Sequence, residues 1–262
     1  MDTTVKSAYR LLVIDDDALM RELLLLLLGA EGHTVLTAHS GDDALSLLGS
    51  LEPAQLPSVV LADLKMPGLS HSELGTRLRS ACPSTSILLA MSASEPLAGE
   101  TDGFDAFLRK PFSIADYDAA VERSRSQSQS IPAPPAEDEL AGEGVPALDE
   151  AIFSKLRSTL SGAQVLEIYA MCLNDAATRA ERMSSASEVG DAMTFVREAH
   201  AVKGGCGMLG ATELYTFAGR METGGLSCSP LLHDFRPAIE RLRRILRERI
   251  DRDVDERTGS QT

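Results

Sequence analysis

The first 125 residues alternate short apolar runs with longer segments whose apolar residues recur every three or four positions. Leu11–Ile14, Thr34–Ala38, Val59–Ala62, Ile87–Met91 and Phe104–Leu108 have the length and apolar content of buried strands. Leu19–Ala30, Asp42–Leu51, Ser72–Ala81 and Ile114–Arg125 have mostly helical length and pattern. Strands alternating with helices predict an α/β fold, a five-stranded parallel sheet covered on both faces.

From Leu148 onward the spacing is helical only. Leu166, Tyr169, Leu173, Ala176 and Ala180 form one stripe, and Phe195, Ala199, Val202, Cys206 and Leu209 a second, with Asp191 as its N-cap. Thr212 is a candidate cap for a helix carrying Leu214, Phe217 and Met221. Arg236–Ile250 adds Ile239, Leu242, Leu246 and Ile250 on one side. A four-helix bundle with extra N-terminal structure is the economical reading. The predicted organisation is a sheet domain over residues 1–125, a linker over 126–147, the bundle over 148–252 and a disordered tail over 253–262. The linker combines Ser/Gln, Pro and acidic stretches without an apolar face. A flexible chain of that length reaches roughly 25 Å root-mean-square, enough to hold two modules at an effective concentration on the order of millimolar where geometry allows contact.

The net charge of −14 argues against nonspecific binding to nucleic acid or an anionic membrane. It is unevenly spread: residues 1–125 carry 18 acids against 10 bases, and 126–147 carry four acids and no base. Cys82, Cys172, Cys206 and Cys228 form no CxxC pair, which fits free thiols in a reducing compartment. No signal peptide is visible. The Leu23–Leu28 run is bounded by Arg21, Glu22 and Glu31, well short of the ~20 apolar residues of a membrane span. It reads as a buried helix, and a cytoplasmic protein without stable membrane insertion is the expectation. The Arg236–Arg252 stretch, with seven arginines against three acids, reads as a solvated helix face rather than a membrane- or acid-binding surface.

Ligands of parallel sheets sit beyond the carboxyl ends of the strands, and Asp15, Asp16, Asp63, Ser92 and Lys110 all fall there. Three carboxylates gathered at one edge call for a cation, and hard oxygen donors beside phosphate chemistry favour Mg²⁺. Lys110 supplies a point charge for phosphoryl oxygens, and Ser92 a hydrogen bond. In the bundle, His200, Lys203, Gly204 and Gly207 share one helix face, turned away from the apolar stripe. Glycines within a helix cost roughly 1 kcal/mol each relative to Ala. A bare face beside an exposed imidazole suits close approach by another surface.

Residues 9–125 resemble a response-regulator receiver domain, with a flavodoxin-like doubly wound sheet, through Val13-Ile14-Asp15-Asp16-Asp17, Asp63-Leu64-Lys65-Met66-Pro67, Ser92-Ala93 and Lys110-Pro111-Phe112. The resemblance implies that Asp63 is the phosphoacceptor and that Asp15, Asp16, Asp63 and the Lys65 carbonyl hold Mg²⁺. It implies that Ser92 and Phe107 rearrange on phosphorylation, that Lys110-Pro111 is cis, and that Lys65 and Ser94 tune phosphoryl lifetime. His71 stands near a position where the family usually has Gly, where a positive φ would strain it. Pro96, Gly99 and Gly103 predict a short or frayed fourth helix, on the family's usual dimerisation and signalling face.

Residues 148–250 resemble a histidine phosphotransfer (HPt) domain through His200, Lys203 and Gly204, with Gly210 closing the motif. The implied role is phosphoryl carriage on His200, steadied by Lys203, without ATP binding. His33, His39, His71 and His233 have no comparable setting and read as structural or solvated. Two other patterns are rejected. Gly205–Gly210 spells GxGxxG, but a helical segment precedes it where a dinucleotide fold needs a strand. Asp15-Asp16-Asp17 resembles a haloacid-dehalogenase motif, but the usual hydroxyl after Asp17 and a late acidic pair are missing.

These features together predict a two-component phosphorelay intermediate, a signalling phosphocarrier rather than an enzyme, whose receiver promotes its own phosphorylation and dephosphorylation. Sensor histidine kinases and other receiver or HPt proteins are its expected partners, with no role for nucleic acid. Two rivals remain open at this point: phosphorylation of Asp63 gating access of the HPt domain to outside receivers, and a phosphate sink in which His200 drains partners and Asp63 hydrolyses the product.

Overall fold

A computed structural model describes residues 8–66, 68–93, 95–126 and 145–259. Pro67, Ser94, nearly all of the 126–147 linker and the last three residues of the chain lie outside that set. The chain divides into two compact units, Met1–Ala136 and Glu137–Thr262.

The first unit is a five-stranded parallel sheet in the order β2-β1-β3-β4-β5, formed by β1 (Arg10–Ile14), β2 (Thr34–Ala38), β3 (Val59–Asp63), β4 (Ile87–Ser92) and β5 (Ala106–Arg109). This is the doubly wound α/β arrangement expected, with its switch point between β1 and β3. The helices are α1 (Ala18–Ala30), α2 (Gly41–Ser50), α3 (His71–Ala81) and α4 (Ile114–Ser126). Every residue of β3 and β4 is buried because side chains alternate between two covered faces. Leu12, Ile14, Val60, Ala62 and Leu88 pack with Ala44, Leu48, Leu74 and Leu78 of α2 and α3. The alternate positions face α1, whose Leu23, Leu24, Leu27 and Leu28 are buried, and α4, with Tyr117, Ala120 and Val121. The leucine run is thus the inner face of α1.

Two details differ from the sequence reading. No helix forms between β4 and β5 among the described residues; turns run there instead, with Gly99 and Gly103 at φ +88° and +86°. His71 begins α3, and the positive φ of that loop belongs to Gly68, at +114°. The Lys110–Pro111 bond is cis.

The second unit is all-helical: α5 (Glu150–Thr159), α6 (Gly162–Val189), α7 (Ala192–Met208), α8 (Thr212–Gly224), a 3₁₀ stretch (Gly225–Leu231) and α9 (Leu232–Gly259). Helices α6 to α9 form the expected bundle, with α5 as an addition packed on α6. Asp191 caps α7 by accepting from Thr194 N at 3.0 Å. The buried stripe of α6 is set one position from the reading at its start, on Val165 and Ile168, leaving Leu166 half-buried. Thr212 is the first residue of α8 rather than its cap, a position taken by Ala211 with no side-chain bond. Helix α9 begins four residues before Arg236 and runs to Gly259, so the tail predicted from residue 253 is helical over most of its length.

Candidate functional site

Strands β1 and β3 are parallel neighbours, with Ile14 opposite Ala62. Asp15 and Asp63 therefore arrive together at the carboxyl edge of the sheet, each buried. Asp15 Oδ1 accepts from Asp17 N and Asp63 Oδ1 from Lys65 N, both at 2.9 Å. That leaves one oxygen of each carboxylate directed elsewhere. Lys110, just past β5, spans the gap: its Nζ lies 2.6 Å from Asp15 Oδ2 and 2.8 Å from Asp63 Oδ2. A single buried ammonium thus offsets two buried carboxylates that would otherwise repel.

Burial pushes the Asp15 carboxyl up to about 6, against the pull of Lys110 and with a further push from Asp63. Asp16, exposed to solvent, is also raised by partial burial and the Asp63 charge. Burial alone would lower Lys110, yet Asp15 and Asp63 hold it above the ordinary lysine range. Asp15, Asp16 and Asp63 each offer an oxygen, all within 4.8 Å of one another. Hard carboxylate donors with one member open to solvent fit Mg²⁺, which keeps several waters. Ser92 ends β4 and is buried, while its carbonyl accepts from Lys110 N at 2.8 Å. Phe107 lies half-buried on β5 opposite Ala90, and the Lys65 side chain is 45% exposed.

The second cluster lies on α7 and α8. Ala199, Val202 and Cys206 are buried, which turns His200 and Lys203 outward, and 43% of the His200 side chain is exposed. Glu222 of α8 joins them. Its Oε1 lies 2.6 Å from His200 Nδ1 and its Oε2 3.3 Å from Lys203 Nζ. Burial would raise the Glu222 carboxyl, but the His200 hydrogen bond and the Lys203 charge hold it below its ordinary value. The Lys203 ammonium also sits 5.6 Å from the Tyr215 ring centroid. A Cβ on Gly219 would meet the Lys203 stem at 3.8 Å. Tyr215, Gly219 and Glu222 occupy one stripe of α8 at four- and three-residue steps. That spacing, beside the buried Leu214, Ala218 and Met221, is the signal that the sequence reading passed over. Gly204 is half-buried beside Lys203, and Gly210 adopts φ +66° where a Cβ would lie 2.9 Å from Asp149.

His33 and His39 have partners of their own. His33 is buried and stacks on Tyr9, with ring centroids 5.3 Å apart. His39 pairs with Asp43 on the surface at 2.8 Å. Among the described residues no helix is long and apolar enough to cross a membrane. On α9, Arg241 and Arg249 are engaged by Glu213 and Glu150.

A family model of the response regulator receiver domain matches residues 11–122, and one of the Hpt domain matches residues 167–252. The response regulator MprA of Mycobacterium ulcerans is 37% identical over 110 residues, 41% of this chain and 46% of that protein. MprA of Mycobacterium avium is 36% identical over the same shares. The chain thus spans about half the length of the curated relatives it matches. Among solved structures, the chemotaxis response regulator CheY4 of Vibrio cholerae is 22% identical, with a TM-score of 0.40, covering 45% of this chain and 99% of that one. The response regulator TrrA of Thermotoga maritima, in complex with Mg²⁺ and BeF, is 26% identical, with a TM-score of 0.39, covering 44% and 97%.

Proposed function

This chain joins a response regulator receiver domain to an Hpt domain, both signalling phosphocarrier modules, and from that premise we propose that it is a phosphorelay intermediate carrying phosphoryl groups on Asp63 and His200. Asp63 takes a phosphoryl group from a sensor histidine kinase or a phosphorylated Hpt protein, and His200 passes one to or from an aspartate. The protein acts in the cytoplasm.

The observation that carries this reading is the presence on one chain of two oriented acceptors of different chemistry. In the receiver, Lys110 touches the Asp63 oxygen at 2.8 Å and supplies positive charge for phosphoryl oxygens. Asp15, Asp16, Asp63 and the Lys65 carbonyl would hold Mg²⁺, which when bound offsets charge on the transferring group. Ser92 and Phe107 are the residues that respond to the new charge.

In the Hpt domain, Glu222 accepts the Nδ1 proton of His200 and thereby leaves the Nε2 lone pair free to attack phosphorus. As the N–P bond forms, the bond from phosphorus to the aspartyl oxygen breaks and the carboxylate leaves. Lys203 lies close enough to exchange Glu222 for a phosphoryl oxygen, and Gly204 keeps the neighbouring surface low. The reverse transfer uses the same groups.

Labelling wild type, Asp63→Ala and His200→Ala with acetyl phosphate and Mg²⁺ tests the assignment. Base-labile label that needs Asp63 and base-stable, acid-labile label that needs His200 are the expected results. Label that survives in both variants, at other residues, would refute it.

A further inference from the structure

Between β4 and β5 the chain packs on α3 through consecutive turns. They are closed by bonds from Glu100 N to Leu97 O and from Phe104 N to Thr101 O, each 3.0 Å. The far end of this segment is fixed by close packing. A Cβ on Gly75 would lie 2.1 Å from the Asp102 carbonyl oxygen, and one on Gly103 2.7 Å from the Gly75 carbonyl carbon. Arg79 adds a bond to Ser86 O at 2.7 Å and one to Asp105 at 2.6 Å.

The near end is held by charge instead. Glu100 Oε2 accepts from Leu97 N at 2.8 Å, while Oε1 faces Lys65 Nζ at 3.6 Å. Lys65 is also the residue whose N–H donates to Asp63 Oδ1. One side chain therefore joins the 95–104 segment to the loop that carries the candidate acceptor. Leu97, at the tip of that segment, is 73% exposed.

We propose that Glu100 and a phosphoryl group on Asp63 compete for the Lys65 ammonium, so that phosphorylation loosens the 97–100 turn. Glu100 is then a positioning residue that opposes phosphorylation. A phosphoryl group on Asp63, two residues from Lys65 in the chain, carries nearly two negative charges, against the single charge of Glu100. Such coupling is reciprocal: whatever phosphorylation takes from the Glu100 contact, that contact takes from phosphorylation. The inference rests on Asp63 being the acceptor.

Titration of the full chain with beryllofluoride and Mg²⁺, followed by calorimetry, tests both. Glu100→Gln keeps an oxygen for the Leu97 N–H but loses the charge. It is expected to bind the probe about two- to five-fold tighter, the range a partly exposed ion pair supports. In a Lys65→Ala background, which keeps the main-chain carbonyl, Glu100→Gln should change nothing. Amide exchange over residues 97–100 should rise on adding the probe to wild type. Equal affinities of wild type and Glu100→Gln, or the same gain without Lys65, would overturn the competition. If Asp63→Asn binds the probe as wild type does, or wild type does not bind it at all, the assignment of Asp63 falls instead.

Discussion

The raised Asp15 and the lowered Glu222 have opposite consequences for pH dependence. An acid raised by burial is stabilised protonated in the folded state, so in metal-free protein its contribution falls as pH rises from about 4 to about 6. A cation that binds the ionised carboxylates restores that stability. The melting temperature gained on adding Mg²⁺ should therefore grow as pH rises through about 6 and be small at pH 5. Asp15→Asn should abolish most of the gain.

Glu222 is lowered, so its contribution is present at neutral pH and lost as pH falls below the ordinary glutamate range, about 4.3. Glu222→Gln should reduce stability by about 1 kcal/mol at pH 7, with the difference from wild type vanishing in acid melts. It should also slow phosphoryl uptake by His200 roughly tenfold, since the ring loses its fixed tautomer. Rapid-quench labelling from a phosphorylated receiver would measure that rate.

At the scale of elements, close backbone approach explains why the chain between β4 and β5 runs as turns on α3. Gly75→Ala forces a methyl against the Asp102 carbonyl, and overpacking of this kind costs about 1–3 kcal/mol. Urea unfolding of the receiver should show that loss, while an alanine at Gly49, where nothing lies within 4 Å of a Cβ, should not destabilise. Much of this level was legible in the sequence. Buried parallel strands must be continuous apolar runs, so Val59–Ala62 and Ile87–Met91 could hardly be read otherwise. Pro96, Gly99 and Gly103 announced a poor helix, and Asp191 the cap of α7.

What stayed hidden depends on partners distant in sequence. Glu222 reads as an ordinary surface acid until α8 is laid against α7, which brings it to His200 from 22 positions away. The Gly75–Gly103 contact and the Lys65–Glu100 pair belong to the same class. The start of α9 at Leu232 was obscured by Pro237, which stands inside that helix, where its missing N–H forfeits a backbone bond and the sequence pattern suggests a break.

At the scale of the molecule, two units each enclose a buried core, one sheet-based and one helical. Each half, expressed alone as residues 1–126 or 145–262, should unfold in a single cooperative thermal transition. Absence of a transition in either would show that its core is incomplete. Transfer within one chain, if it is the route, should proceed at a rate independent of protein concentration.

A pulse and chase follows the phosphoryl group between Asp63 and His200 as successive stations of one relay. The wild-type chain is loaded with labelled acetyl phosphate and Mg²⁺, freed of donor by rapid desalting, and sampled over time for base-labile and base-stable label. Base-stable label at His200 should rise as base-labile label at Asp63 falls, and neither phase should be seen with Asp63→Ala. Decay of the Asp63 label directly to inorganic phosphate, with no label reaching His200, would contradict the relay.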